Sequence, residues 1–179
     1  MKVIHPHDNS GSSEQKKPLD MLKDGQLLSL AHDSPTGLIL QKPYYAEYVG
    51  PGAAIGGMFD LQCVMLHPLG SVTLTIPETL DQRQNAFQTR MEDIEKMQAV
   101  CELDLPIERA IAILDLLSKK FSQAEVQLIA NDVLAKLVGV LPSTIVAAWQ
   151  QVAYTTPSRH AEASSAQEDS TFAAQGMAA

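Results

Sequence analysis

The stretch SVTLTIPETLDQRQNAFQTRMEDIEKMQAVC, residues 71–101, changes its hydrophobic period at Pro77. Before the proline, Val72, Leu74 and Ile76 alternate with Thr73 and Thr75, as along a strand with one buried face. After it, Phe87, Met91, Ile94, Met97 and Cys101 recur at helical spacing, and Thr79 with Gln82 has the spacing of a capping box. Glu92 and Lys96 add a favourable i,i+4 pair on the outer face. The expected class is therefore α+β, an N-terminal antiparallel β-sheet or meander followed by a compact bundle of about four helices.

Upstream of this switch the strand signals run from Gln26 to Ile76. Leu27, Leu28 and Leu30 lead into the turn-like HDSPTG, residues 32–37. The runs 38–40 and 44–49 favour strands, with Pro43 marking an edge, a bulge or a break between two strands. Phe59, Leu61, Cys63 and Met65 alternate as a buried strand face. His67-Pro68-Leu69-Gly70 has type I turn chemistry, so residues 58–76 are expected to form a hairpin.

Downstream, Asp104 and Pro106 open a second helix with Ile107, Ala110, Ile111, Leu114, Leu117 and Phe121 on its apolar face. Ser122 and Glu125 form a second capping box, for a third helix through Val126, Ile129, Val133 and Leu137. Gly139 ends it, and Pro142 starts a fourth helix carrying Ile145, Trp149 and Val152. The expected organisation is a disordered arm over 1–18, a β-rich subdomain over 19–77, a helical subdomain over 78–154 and a disordered tail over 155–179.

The glycines of VGPGAAIGG, residues 49–57, raise the question of a phosphate-binding loop. A dinucleotide fingerprint must leave a strand and open a helix, whose N-terminus holds the pyrophosphate. Here Gly56-Gly57 and a two-residue alternation follow, so a turn is expected. His5, His7 and Asp8 are suitable metal ligands, but no second cluster completes a shell, and no metal or other cofactor is expected. His32 and His67 fall in expected turns, and Glu92, Asp93, Glu95, Glu102, Asp104 and Glu108 read as solvated helix faces. Asp60 interrupts an apolar strand, and an outward-facing position accounts for it.

The chain of 179 residues carries a formal charge of −8, which disfavours a phosphate backbone as partner. Cys63 and Cys101 lie in apolar surroundings and read as a buried, reduced pair. The N-terminus has no continuous apolar run of the signal-peptide kind, and no window suits a membrane span, so a cytoplasmic location is expected.

Residues 134–149, LAKLVGVLPSTIVAAW, resemble the helix-turn-helix of bacterial repressors. Ala135 matches the inner packing position, Gly139 the turn, and Val140 and Ile145 the apolar positions beyond it. The resemblance implies a DNA-binding regulator whose second helix meets the major groove. The matching positions, Leu141, Pro142, Ser143, Val146 and Ala147, offer one hydroxyl between them. Residues 101–160 set five basic against six acidic side chains.

Ile113, Leu116, Leu128 and Leu134 widen the apolar faces beyond the main stripes, more than four helices and a small sheet are expected to hide. The leading expectation is a non-enzymatic regulatory or adaptor protein acting through its helical half. Its partner would be another protein or a second copy in a homodimer, with Leu141, Ile145, Val146 and Trp149 as anchors. A DNA-binding regulator is the alternative, and a small-molecule-binding protein or enzyme with a site near the loop from Gly50 to Gly57 is the second alternative.

Overall fold

A computed structural model describes residues 17–32 and 35–155. The arm and tail expected at the two ends, with His5, His7 and Asp8, lie outside the described residues, apart from residues 17, 18 and 155. The architecture is α+β. A short helix α1 (Pro18–Lys23) precedes six strands, β1 (Leu27–Leu30), β2 (Thr36–Gln41), β3 (Ala46–Val49), β4 (Ala54–Gly56), β5 (Met65–Gly70) and β6 (Leu74–Thr75). Five helices follow, α2 (Leu80–Cys101), α3 (Pro106–Ser118), α4 (Gln123–Gln127), α5 (Asn131–Val138) and α6 (Pro142–Thr155).

The strands form two three-stranded antiparallel sheets, ordered β4-β1-β6 and β3-β2-β5. Strand β2 explains how the halves join. Its run Leu38-Ile39-Leu40 is buried on both faces, so it shows no polar alternation. Leu38 and Leu40 point into an inter-sheet core with Leu28, Leu30, Ile55 and Leu74. Ile39 points the other way, into a core shared with Tyr48, Leu69 and the helices α3, α5 and α6. Pro43 sits in the connection between β2 and β3, where the Lys42 amide donates to the Tyr45 carbonyl.

The hairpin expected over 58–76 does not form. Pro68 lies within β5, opposite Leu38, on the outer edge of its sheet where a missing N–H costs no ladder bond. The chain leaves this sheet after Gly70 instead, and β6 pairs with β1 in the other sheet. Residues 58–62 are turns rather than strand, leaving Phe59 70% exposed. Cys63 alone of the expected stripe is fully buried.

Both capping boxes are present, Thr79 with Gln82 opening α2 and Ser122 with Glu125 opening α4. The expected third helix is broken in two, because residues 128–130 leave the helix before α5 begins at Asn131. Asn and Asp disfavour a helix interior, and the Asp132 carboxylate is favoured in the first turn by the helix dipole. Gly139 adopts φ 61°, the left-handed conformation that ends α5. Ile113 and Leu134 are buried in the helical core and Leu116 is half-buried, so the wide faces of α3 and α5 are largely absorbed by the fold, whereas Leu128 is 85% exposed.

Candidate functional site

Helix α2 packs with an unexpected face inward. Its fully buried residues are Ala86, Arg90 and Asp93; of the stripe read as its core face Phe87, Met91, Ile94 and Cys101 stand outside, and only Met97 packs, half-buried, against the helical core. Met91 is 51% exposed, with Phe87 and Ile94 also exposed. Ala86, Arg90, Asp93, Met97 and Val100 recur at helical spacing and turn the helix toward β3 and β4. The contact is polar at its centre. The Asp93 carboxylate accepts a 2.7 Å hydrogen bond from the Gly50 amide, and the Arg90 guanidinium donates to the Ala54 carbonyl at 3.1 Å.

Asp60 is the largest departure from expectation. It is buried, not outward-facing, and belongs to a cluster of four charged groups. The Lys42 ammonium, also buried, meets Glu47 at 2.9 Å, Asp60 at 3.0 Å and the Phe59 carbonyl at 2.9 Å. Arg90 pairs with Glu47 and, at 3.4 Å, with Asp60. The second Asp60 oxygen accepts from the Gly56 amide at 2.7 Å. The paired glycines serve this geometry. Gly56 has φ 86°, and a Cβ there would stand 2.0 Å from the Gln26 carbonyl oxygen. The stretch 49–57, expected as one turn, holds a turn at Pro51-Gly52, then β4, and then a second turn from Gly57 that curls Asp60 beneath the end of β4.

The electrostatics follow from this packing. Burial pulls the Lys42 pKa down, but the hydrogen bonds to Glu47 and Asp60 and their charges together carry it above its ordinary value. Its ammonium is therefore held charged and all three of its protons are engaged. Burial pushes the Cys63 thiol up to about 11, with the Asp60 charge adding to the effect, so this thiol is not a ready nucleophile. Cys101 is exposed at the end of α2, so the two cysteines do not form the buried pair expected.

A cleft of about 190 Å³ opens above the cluster, walled by Tyr45, Phe59, Phe87, Met91 and Ile94, with Lys42, Glu47, Asp60 and Arg90 at its floor. Phe59 and Phe87 meet edge to face across it, 6.0 Å between centroids. A second hollow of about 270 Å³ continues along α2, between Tyr48 on one side and Ile94, Met97 and Cys101 on the other. Tyr45, Glu47 and Ile94 border both, so one groove follows the helix from Phe87 to Cys101. The cleft lies beside Gly56 and Asp60, where the second alternative placed a small-molecule site. Its floor charges, however, are directed at one another.

The four anchors proposed from sequence sit differently from one another. Ile145 is fully buried in the helical core and Trp149 packs half-buried against it, because both lie on the inner face of α6. Leu141 at 69% and Val146 at 43% exposure remain on the surface. The chain bends by 99° between α5 and α6, with Gly139 at the turn, as a helix-turn-helix requires.

His67 lies on β5, not in a turn, and its Nε2 is 2.8 Å from the Gln41 side-chain oxygen. Burial lowers its pKa, with Asp132 opposing. Among the described residues no group of His, Cys, Asp and Glu could hold a metal ion, and no single helix is long and apolar enough to cross a membrane. No protein family, no curated protein and no solved structure matches the chain.

Proposed function

We propose that this chain is a non-enzymatic regulatory or adaptor protein whose partner-contact face is the apolar groove along α2. One observation carries the reading: α2 buries Arg90 and Asp93 while its Phe87, Met91 and Ile94 face solvent. An amphipathic helix normally turns such a stripe to the core, so its exposure beside the still more exposed Phe59 points to a surface completed by another molecule. The face lies between α2 and residues of the β-rich half, Tyr45, Tyr48 and Phe59 among them, and not on the anchors expected on α6. The mutual pairing of Lys42, Glu47, Asp60 and Arg90 favours a structural role for these charges over a catalytic one.

The test is comparative capture from an extract of the source cells on the immobilised chain and its Met91→Asp variant. A protein retained by the parent, absent from the variant and rebound in purified form is expected. Equal retention on both, or none on either, contradicts the reading.

A second reading, a DNA-binding regulator, is supported by the 99° bend at Gly139. Against it, the outer face of α6 near its start presents Leu141, Pro142, Ser143 and Val146. Duplex binding that weakens steeply with salt would favour it, and no binding at low salt would end it.

A further inference from the structure

We infer that the groove along α2 receives a basic amphipathic α-helix from a partner protein, an inference that rests on the contact face proposed above. The exposed seam of α2 has alternating spacings of four and three, through Leu80, Gln84, Phe87, Met91, Ile94, Gln98 and Cys101. That is the a/d repeat of a helix that packs alongside another helix. The two hollows extend this seam over residues 87–101, about 21 Å at the α-helical rise, or roughly four turns of a docked helix. Apolar side chains at i, i+3 or i+4, and i+7 on the incoming helix would seat against the Phe59–Phe87 pair, beside Met91, and in the hollow bounded by Ile94 and Met97.

Charge selects the occupant. On the solvent side of the seam α2 and its C-cap carry Asp81, Glu92, Glu95 and Glu102, all exposed, and the nearest cation, Lys96, lies one turn beyond Glu92 on the far side from the seam, 3.5 Å from Asp93. The groove itself presents the partly exposed Glu47 carboxylate. A second copy is disfavoured by the same charges: antiparallel pairing of two α2 helices would set Asp81 toward Glu102 and Glu95 toward Gln88, with no cation between them. A helix with Lys or Arg along the edge of its apolar face would meet this flank with opposite charge.

The experiment uses the full chain and two synthetic fourteen-residue helical peptides of identical leucine pattern, one with lysine and one with glutamate at every polar position. Fluorescence anisotropy is expected to give at least about tenfold tighter binding of the Leu/Lys peptide, weakening with salt. Met91→Asp is expected to abolish it, and Glu95→Lys with Glu102→Lys to reverse the preference, with circular dichroism confirming that the variants fold. Equal affinity for both peptides, or binding untouched by Met91→Asp, overturns the inference. If the chain is instead a dimer that Met91→Asp converts to a monomer, a second copy covers the groove. The basic-helix occupant is then wrong, while the contact face stands.

Discussion

The Asp93 carboxylate on α2 lies 2.7 Å from the backbone nitrogen of Gly50, forty-three residues earlier, and accepts its proton. Both groups are buried, so water cannot replace either partner. A charge-assisted hydrogen bond of this kind contributes roughly 1.5–3 kcal/mol. Asp93→Ala is therefore expected to lose about that much stability in urea denaturation. A loss below the scatter of the measurement would show that this contact does not hold α2 to the strands.

The charged cluster makes a non-additive prediction. Lys42→Met breaks the nearer of the two ion pairs of the buried Asp60 and leaves only Arg90 at 3.4 Å, and breaking a buried pair in this way costs about 3–5 kcal/mol. Adding Asp60→Leu removes the stranded charge, so the double variant is expected to be more stable than Lys42→Met alone. A double variant whose loss is the sum of the two single losses would mean the pair does not act as a unit.

His67 gives a pH dependence with a definite sign. Its folded pKa lies below the ordinary 6.5 because burial disfavours the imidazolium. The unfolded chain then binds the proton more tightly, so the stability contribution is complete above about 6.5 and is lost as pH falls through the folded value. Urea midpoints measured from pH 7.5 down to 5 should fall, and His67→Gln should flatten part of that slope. An identical slope in the variant would remove His67 from the account.

Gly139 occupies φ 61°, which costs little for glycine and strains a residue with a Cβ. Gly139→Ala is expected to destabilise the chain by about 1 kcal/mol and to lower its melting temperature, because the α5–α6 turn depends on this conformation. An unchanged melting temperature would show that the corner relaxes without it.

Much of the fold was legible because local chemistry and tertiary demand agreed. The capping boxes at Thr79 and Ser122, the stop at Gly139 and the start at Pro142 all fall where residue type alone places them. The hairpin failed because Pro68 and Gly70 have turn chemistry, and only the pairing of β5 at a sheet edge makes a proline acceptable there. The site was hidden for a related reason. Lys42, Glu47, Asp60 and Arg90 come from a β-connection, a strand, a turn and a helix, and no spacing links them. One signal was available in α2, where Ala86, Arg90, Asp93, Met97 and Val100 form a second stripe that shares Met97 with the apolar one. Hydrophobicity alone selects the wrong stripe, since the β-half partners that make Arg90 and Asp93 buriable lie thirty or more residues away.

Which stripe of α2 faces inward is best decided by comparing Arg90→Met and Met91→Asp, adjacent substitutions on one helix, by equilibrium urea denaturation of the full chain. Met91→Asp is expected to stay within about 0.5 kcal/mol of the parent, while Arg90→Met, which leaves Lys42 as the one cation for Glu47 and Asp60 and removes the donor to the buried Ala54 carbonyl, loses several times more. The opposite order, with Met91→Asp unfolding the chain and Arg90→Met leaving it intact, would place the apolar stripe in the core and contradict the proposed contact face.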